Sequence, residues 1–549
     1  MVEEDDQAQS SYAGRWIARV RGQVVAQGGT PEQARRAAKV ARHKESPEIS
    51  YMPTLQPLTF SPMLDSVRSV LPEGLAVYLV GGAVRDAVQG RSTHDLDFAV
   101  KDNAIQVARG VADALEGDFY TLDPERDTGR VIISTGSGER MVMDFASFRG
   151  PDLETDLQGR DFTLNALAVD VHTRSLFDPL NGIADLKAGE LRYCSPSAFQ
   201  DDPLRVLRGV RLAAEFGFHI QPETRRAMKA AVGGLEVISA ERLRDEIFRI
   251  LEGPRPATCL RALDILGALA LVLPELAAQK GVQQPPPHLL DVWNHTLAVL
   301  DYLDSILAAL SPSYDPDTAA DFFYGLLVLK IGRYRQQLGE HFIQGINLNR
   351  SLRSLVFFAA LYHDIAKPEC LQADDEGQPR FWGHDQAGAA VAAKRARRLA
   401  LSNDEVERIE SIVANHMRIL FHADRLLREN KEPSRRAIYR FFRDTDTAGV
   451  ELCLLALADL RATYGSALPH ETWTACLEVV RLFLENWYEK RPESIMPPSL
   501  INGEDLMRAL DLSPGPRVGE LLEAVREAQA MGLVTTKEEA LVFAREWGS

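Results

Sequence analysis

The stretch YLVGGAVRDAVQGRSTHDLDFAV, from Tyr78 to Val100, constrains the fold more than any other part of the chain. A strand-like apolar run ends in Gly81-Gly82, a helical pattern begins near Ala83, and a second strand-like run carries Asp95 and Asp97. Residues two apart in a strand project to the same face. The spacing therefore predicts both carboxylates on one side of a sheet, with Leu96 and Phe98 on the other. Adjacent carboxylates repel each other, and a divalent cation shared with a nucleotide triphosphate relieves that repulsion; Mg²⁺ is commonly held by one or two carboxylates plus substrate phosphates. A glycine pair before a helix lets the backbone approach phosphate oxygens, while the helix N-terminus favours their charge. Taken alone, the same residues also fit a tight turn beside a surface D-x-D.

Between about Leu64 and Pro179, strand-like runs (AVYLVGG, HDLDFAV, RVIISTG, RMVMDFASF, ALAVDVH) alternate with helical stretches, which predicts an α/β unit. After Phe199 nearly everything reads as helix, with DDPLRVLRGVRLAAEFG, AERLRDEIFRILEG and PATCLRALDILGALALVL separated by Gly and Pro stops. At the other end, GRWIARVRGQVVAQGG followed by TPEQARRAAKVARHK reads as a small β-hairpin plus helix, similar to an accessory module on other bacterial proteins. Its basic helix reads as a solvated face rather than an RNA contact. Pro47, Pro53, Pro57 and Pro62 then mark a linker.

With 549 residues the chain is a multidomain protein. Its net charge of -16, from 62 basic and 78 acidic residues, argues against coating nucleic acid by phosphate neutralisation alone. Any RNA contact is then local, and the arginine clusters RVLRGVR and RRAAKVARHK are where a phosphate-bearing substrate is to be sought. Five cysteines without a C-x-x-C pair fit a reducing compartment and no thiolate zinc site. An acidic start (MVEEDDQAQSSYAG) and the lack of a long apolar run make the cytoplasm the expected location, with no membrane partner.

In order and approximate spacing, LVGGAVRD, HDLDFAV, GRDFTLNALAVD, FDPLNGIADLKAGELR, DDPLRVLRGVR and AERLRDEIFRIL resemble the class II tRNA nucleotidyltransferases and bacterial poly(A) polymerases, from about Leu64 to Leu273. The resemblance implies a polymerase-β-like mixed sheet with helices, in which Asp95 and Asp97 hold Mg²⁺ ions that align an RNA 3′-hydroxyl with the α-phosphate of a nucleotide. Asp144 is the candidate third carboxylate, and a turn or cap role is the other reading of it. Gly81, Gly82, Arg85 and Asp86 are expected to brace the glycine turn and the triphosphate, and Arg160, Asp161 and Asn165 to contact ribose and triphosphate. Asp202 and Arg205, three apart, are expected on one helix face as a base-reading pair, with Arg208 supporting them or holding a phosphate. Cytosine and adenine both present an amino donor beside a ring-nitrogen acceptor, so one such pair can accept both and reject guanine and uracil. Many family members carry Glu where this chain has Asp201.

Downstream, VWNHTLAVL, LYHDIAKP, WGHDQAGAA, VANHMRIL and LALADLRATYG resemble the HD phosphohydrolase superfamily. That likeness implies His295, His363, Asp364 and Asp459 as ligands of a divalent metal (Mg, Mn, Ni or Fe), with His384, His416 and Lys367 as candidates for a second metal or a phosphate. The implied organisation is an accessory module at 1–46, a linker at 47–63, a nucleotidyltransferase head at 64–190, a neck with the base-selecting helix at 191–283, an HD domain at 284–475 and a helical tail at 476–549 that is a candidate tRNA contact. The implied activity is template-independent addition of CCA to tRNA from CTP and ATP, with a metal-dependent phosphohydrolase or cyclic phosphodiesterase in the HD domain. Three alternatives stay open: a poly(A) polymerase, a partial enzyme adding only CC or only A, and an HD phosphohydrolase on an RNA-binding scaffold.

Overall fold

The computed structural model describes residues 15–20, 23–28, 30–40, 46–52, 58–91, 93, 95–134, 140–314, 321–347, 350–375 and 377–548. The chain divides into two compact units, Met1–Leu235 and Glu236–Ser549.

The first unit is built on a seven-stranded mixed sheet in the order β10-β9-β4-β5-β8-β7-β6. Its strands are β4 (Val77–Val80), β5 (Asp95–Val100), β6 (Asp118–Asp123), β7 (Thr128–Ser134), β8 (Arg140–Ser147), β9 (Ala168–Asp170) and β10 (Leu176–Phe177). Only the β5/β8 pair is parallel. In β5 the alternation of exposed Asp95 and Asp97 with buried Leu96 and Phe98 follows from the period of two. Phe98 stacks on Phe145 of β8 with centroids 4.6 Å apart, so burial of the apolar face fixes the register that sends the carboxylates to the other. The connection to β8 runs through the Ala104–Ala114 helix, whose first amides donate to Asp127: Ala104 N to Oδ2 (2.7 Å) and Ile105 N to Oδ1 (3.1 Å). Asp127, from the segment LDPERDTGRV, thus ties the β6–β7 turn to that helix.

The N-terminal module has one strand more than expected. Besides β1 (Arg15–Val20), β2 (Gln23–Gly28) and the Pro31–Val40 helix, the stretch read as linker contains β3 (Glu48–Met52), which pairs antiparallel with β1. Proline punctuation on both sides hid a strand of only five residues.

In the second unit, the Ala448–Tyr464 helix is buried on every side from Ala448 to Thr463, as an axial helix must be. Its one buried acid in the first turn, Glu451, is met by Arg408 (Nε to Oε1, 2.8 Å) and His341 (Nε2 to Oε2, 3.2 Å), so the charge is not left alone in the core. Around it pack helices including Val292–Ala309, Leu352–Tyr362, Asn403–Asn415 and His470–Tyr488. A separate small core of Leu506, Val518, Leu521, Val525, Ala528, Ala540 and Ala544 holds the tail helices together. The division at 235/236 falls inside the expected neck. Phe199 packs on Phe162 of the head, with centroids 6.0 Å apart, whereas Phe248 stacks on Phe358 at 5.5 Å, so aromatic packing draws the two ends of that stretch into different cores. No helix among the described residues is long and apolar enough to cross a membrane.

Two glycine substitutions test this packing. A Cβ on Gly182 would lie 2.1 Å from the Thr163 carbonyl oxygen, while one on Gly110, inside the Ala104–Ala114 helix, would meet nothing within 4 Å. Gly182→Ala is expected to destabilise the first unit by about 1–3 kcal/mol, and Gly110→Ala to leave it unchanged or stabilise it by up to about 1 kcal/mol. Calorimetric midpoints of the two variants check both signs.

Candidate functional site

Side chains on one face of the head sheet form a row across three strands. Asp97 of β5 lies opposite Asp144 of β8, and Asp144 lies opposite Arg130 of β7. Asp95 shares the face of Asp97 two residues earlier. Asp144 is therefore a strand residue, not a turn or cap residue. Its carboxylate is gripped bidentately by Arg130, with Nε to Oδ1 at 2.7 Å and Nη2 to Oδ2 at 2.8 Å. Although its edge is open to solvent, Asp97 has its carboxyl pushed above the usual range, first by lost hydration and then by the charge of Asp144; Arg160 and Arg208 oppose this, and Asp95 adds to it. The head carboxylates do not converge as a closed ligand knot. Among the described residues, groups of three or more acidic, His or Cys side chains with ligand atoms all within 4.8 Å occur only in the helical unit.

Gly81 has φ 73°, a left-handed conformation that favours glycine. A Cβ there would sit 3.3 Å from Arg160 Nη1 and 3.6 Å from Asp97 Oδ2, so the turn passes directly over the carboxylate. Gly82 opens the Gly82–Val88 helix. From that helix Arg85 donates to Asp86 Oδ1 (2.9 Å) and Asn165 Oδ1 (2.8 Å), and its guanidinium stacks 4.6 Å from the Phe216 ring centroid. These contacts tie the Gly82–Val88 helix to Asn165 and to the Phe216 ring. Arg160 pairs with Asp156 at 2.9 Å. Asp161, buried, accepts from Asn165 Nδ2 (3.0 Å) and Phe162 N (2.7 Å) and pairs with Arg208 Nε (2.6 Å). Burial pushes its carboxyl upward, but Arg208, Asn165 and the Phe162 amide outweigh this and hold it below the usual range.

The expected shared helix face of Asp202 and Arg205 is not present. The helix runs Arg205–Phe216, and Asp202 precedes it in extended conformation (φ -149°, ψ 97°) because the residue before proline, here Pro203, is disfavoured in the helical region. Arg205 instead donates to the carbonyls of Arg160 (3.1 Å), Ala198 (3.1 Å) and Gly159 (2.9 Å), holding the Gly159–Arg160 turn. Arg130 was missed by sequence reasoning; its only signal was its position across from Asp144 on a neighbouring strand.

In the helical unit, one carboxylate gathers the second cluster. Asp364 Oδ2 faces His363 Nε2 (3.2 Å) and His295 Nε2 (3.6 Å), while its Oδ1 faces His384 Nε2 (3.3 Å) and His416 Nε2 (3.9 Å). Asp459 Oδ1 lies 3.0 Å from His295 Nε2. Two three-residue groups could each hold a metal ion: His295, His363 and Asp459, and Asp364, His384 and His416. All six residues are buried. The imidazoles of His363, His384 and His416 each turn Nδ1 to the carbonyl three residues back (Ala360, Phe381, Val413) at 2.7 Å. Nδ1 then carries the proton and donates, and Nε2 presents its lone pair inward, the tautomer a metal ligand needs. Buried His295 Nε2 and His363 Nε2 have no aligned hydrogen bond of their own, which fits divalent-cation ligands.

The charges of the cluster act on one another. Burial pushes the His363 pKa down, but Asp364 and Asp459 outweigh it and hold it above the usual value, so a metal ion at Nε2 would take the place of a proton. Burial pushes the Asp364 carboxyl up, but His363, Lys367 and His384 outweigh it and hold it well below its usual range. His416 is pushed down to about 4, chiefly by burial and then by His363. Lys367 pairs with Asp364 Oδ2 (2.7 Å) and donates to Gln284 Oε1 (2.7 Å). An ammonium in that position neutralises Asp364 and is itself no metal ligand, which corrects one of the two roles expected of Lys367. Gln284 and His288, whose ring centroid is 5.3 Å from that of His295, were missed because KGVQQPPPHLLD reads only as a boundary.

Comparison with known proteins follows the same division. The poly A polymerase head domain family matches residues 77–192, the RNA- and SrmB-binding family of polymerase A residues 217–280, and the HD domain family residues 292–462. The chain is 34% identical over 485 residues to an A-adding tRNA nucleotidyltransferase of Deinococcus radiodurans, covering 87% of this chain and 96% of that protein. It is 34% identical over 475 residues to a CC-adding tRNA nucleotidyltransferase of Thermus thermophilus, covering 85% and 93%. A solved CCA-adding enzyme with CTP shares the fold at a TM-score of 0.55 and 21% identity, over 89% of this chain and 96% of that one. With a head sheet carrying the D-x-D row and an HD cluster in the helical unit, the chain belongs to the class II tRNA nucleotidyltransferase family with an HD domain.

Proposed function

We propose that the head adds C and A nucleotides from CTP and ATP to the 3′ end of tRNA without a template, completing CCA. The observation that carries this reading is the Asp97–Asp144–Arg130 row with Asp95 on the same face, where lost hydration and then the neighbouring carboxylates push the Asp97 carboxyl above its usual range. In the reaction the RNA 3′-oxygen forms a bond to the α-phosphorus, the bond from that phosphorus to pyrophosphate breaks, and the hydroxyl proton is released to solvent water. Asp95 and Asp97 are the residues to hold Mg²⁺, which when bound supplies charge neutralisation at the attacking and leaving oxygens. Gly81 keeps the turn beside Asp97 free of a side chain, and the Arg85–Asn165–Asp161–Arg208 chain of contacts holds the surrounding loops. Arg160 and Arg208 bring positive charge toward Asp97, where a triphosphate would be received. Arg205 acts by fixing the Gly159–Arg160 turn, and the role of Asp202 in reading the base rests on the family likeness.

For the helical unit, the proposed activity is hydrolysis of phosphate esters or 2′,3′-cyclic phosphates at RNA ends. His295, His363 and Asp459 would hold one divalent cation and Asp364, His384 and His416 a second, with Asp364 between them. A bound cation there supplies an activated water and stabilises phosphate charge. Lys367 steadies Asp364. As functional segments we propose the module at 1–46 extended by the strand Glu48–Met52, the head at 64–190, the neck at 191–283 across the unit boundary, the HD domain at 284–475 and the tail at 476–549. A second reading of the head, addition of CC or A alone, is favoured by one observation: relatives matching 85% or more of this chain are named for such partial activities.

Incubating the full chain with tRNA lacking its last three nucleotides, labelled CTP or ATP, and Mg²⁺ tests the head. Ordered C, C and A incorporation is expected; products stopping at CC, or A added only to a CC end, select the partial enzyme, and long A tracts contradict both. Asp97→Asn is expected to lower incorporation at least ~1000-fold while tRNA binding persists, as loss of a metal-holding carboxylate would. For the second site, metal analysis is expected to give two divalent ions per chain. His363→Ala should abolish metal-dependent hydrolysis of a 2′,3′-cyclic nucleotide with nucleotide addition intact, and unchanged hydrolysis would refute the assignment.

A further inference from the structure

A basic stretch that belongs to neither site stands out in a chain of net charge -16. Residues 15–45 contain Arg15, Arg19, Arg21, Arg35, Arg36, Lys39, Arg42 and Lys44, but only Glu32 and Glu45 as acids. Three of these cations, Arg35, Arg36 and Lys39, sit exposed within one turn of the Pro31–Val40 helix, while Ala34 and Ala38 on its other face are buried. No carboxylate among the described residues pairs with Arg35, Arg36 or Lys39. Exposed helix arginines elsewhere occur both paired, as Arg425 with Glu429 and Arg428 with Asp424, and without an ion pair among the described residues, as Arg225, Arg398 and Arg526; the Pro31–Val40 helix gathers three cations of the second kind within about one turn. Exposed Glu32 is the one acid of this helix, one turn before Arg35 and Arg36, so the face keeps an excess of positive charge, and such an excess attracts an opposite charge.

The patch is also fixed in place. Trp16 and Ala34 form one buried cluster with Ala184, joined by Ile49 and Ala188, so the module packs on the Gly182–Ala188 helix of the head. That helix is in turn bound to the active-site loop, because Asp185 accepts from the Thr163 hydroxyl and Gly182 lies against the Thr163 carbonyl. Thr163 stands between Asp161 and Asn165 in sequence. A ligand held on the basic helix would therefore have a set position relative to the row of Asp97. Long, flexible cations with no ion pair among the described residues suit phosphates spaced along a backbone, and carry no sequence requirement.

We propose that the Arg35/Arg36/Lys39 face is a docking surface for the phosphate backbone of the RNA whose 3′ end the head extends. This rests on the tRNA reading above. It replaces the expectation that the helix is merely solvated.

The test uses the full chain, tRNA lacking CCA, and two triple variants, Arg35→Gln/Arg36→Gln/Lys39→Gln and the corresponding Glu set. Dissociation constants are measured from 50 to 300 mM salt, together with kcat and the KM for tRNA and for CTP. Each lost phosphate contact removes about 0.7–0.9 from the slope of log affinity against log salt. The Gln set is expected to reduce the slope by about 2 and weaken tRNA binding about tenfold at low salt. It should leave kcat and the CTP KM unchanged, and the Glu set should weaken binding further. A wild-type slope and affinity in the Gln variant overturn the proposal and assign the patch to a partner other than the RNA. If the wild-type chain transfers no nucleotide to tRNA, it is the underlying functional reading that fails; normal transfer with unaltered binding by the variants fails the docking surface alone.

Discussion

Repulsion gathered at Asp97 is the constraint on which the head depends. The sheet has no freedom to move this carboxylate away, because Leu96 and Phe98 are locked into the core on the opposite face and the parallel pairing with β8 delivers Asp144 directly alongside. A fold that holds like charges together against hydration and Coulomb cost stores an affinity for cations, and the glycine turn at Gly81 leaves room for what the cation brings with it. Arg130 offsets part of that cost by taking Asp144 in a bidentate pair, so that among the described residues Asp95 and Asp97 are the carboxylates of the row without an ion pair, with Arg160 and Arg208 acting on Asp97 only through space.

The helical unit solves a related problem with a different device. There the anion Asp364 is surrounded by imidazoles and one ammonium, and backbone carbonyls set the tautomer of three rings so that their lone pairs point inward. Buried charge is stable only when partnered, and the backbone fixes these partners before any ion arrives.

Much of this was legible in the sequence because it follows from period. The D-x-D spacing fixed a common face and the glycine pair a turn, whereas the H, HD and D positions, which come together from separate helices, were legible only through the resemblance to the HD superfamily. What was illegible depends on position across strands or on a single backbone rule. Arg130 meets Asp144 only through antiparallel register. Pro203 delays the helix start and takes Asp202 off the face it was expected to share with Arg205. The strand Glu48–Met52 is too short for its alternation to outweigh flanking prolines, and Gln284 and His288 lie in a proline run whose composition carries no helical or strand period.

The most direct measurement of the central claim is anomalous diffraction from crystals of the full chain soaked with Mn²⁺ and a non-hydrolysable CTP analogue. A manganese peak held by Asp95 and Asp97 and touching the triphosphate is expected, beside those in the helical unit. Triphosphate bound with no manganese at Asp95 and Asp97, or with the ion on Asp144 alone, would contradict it.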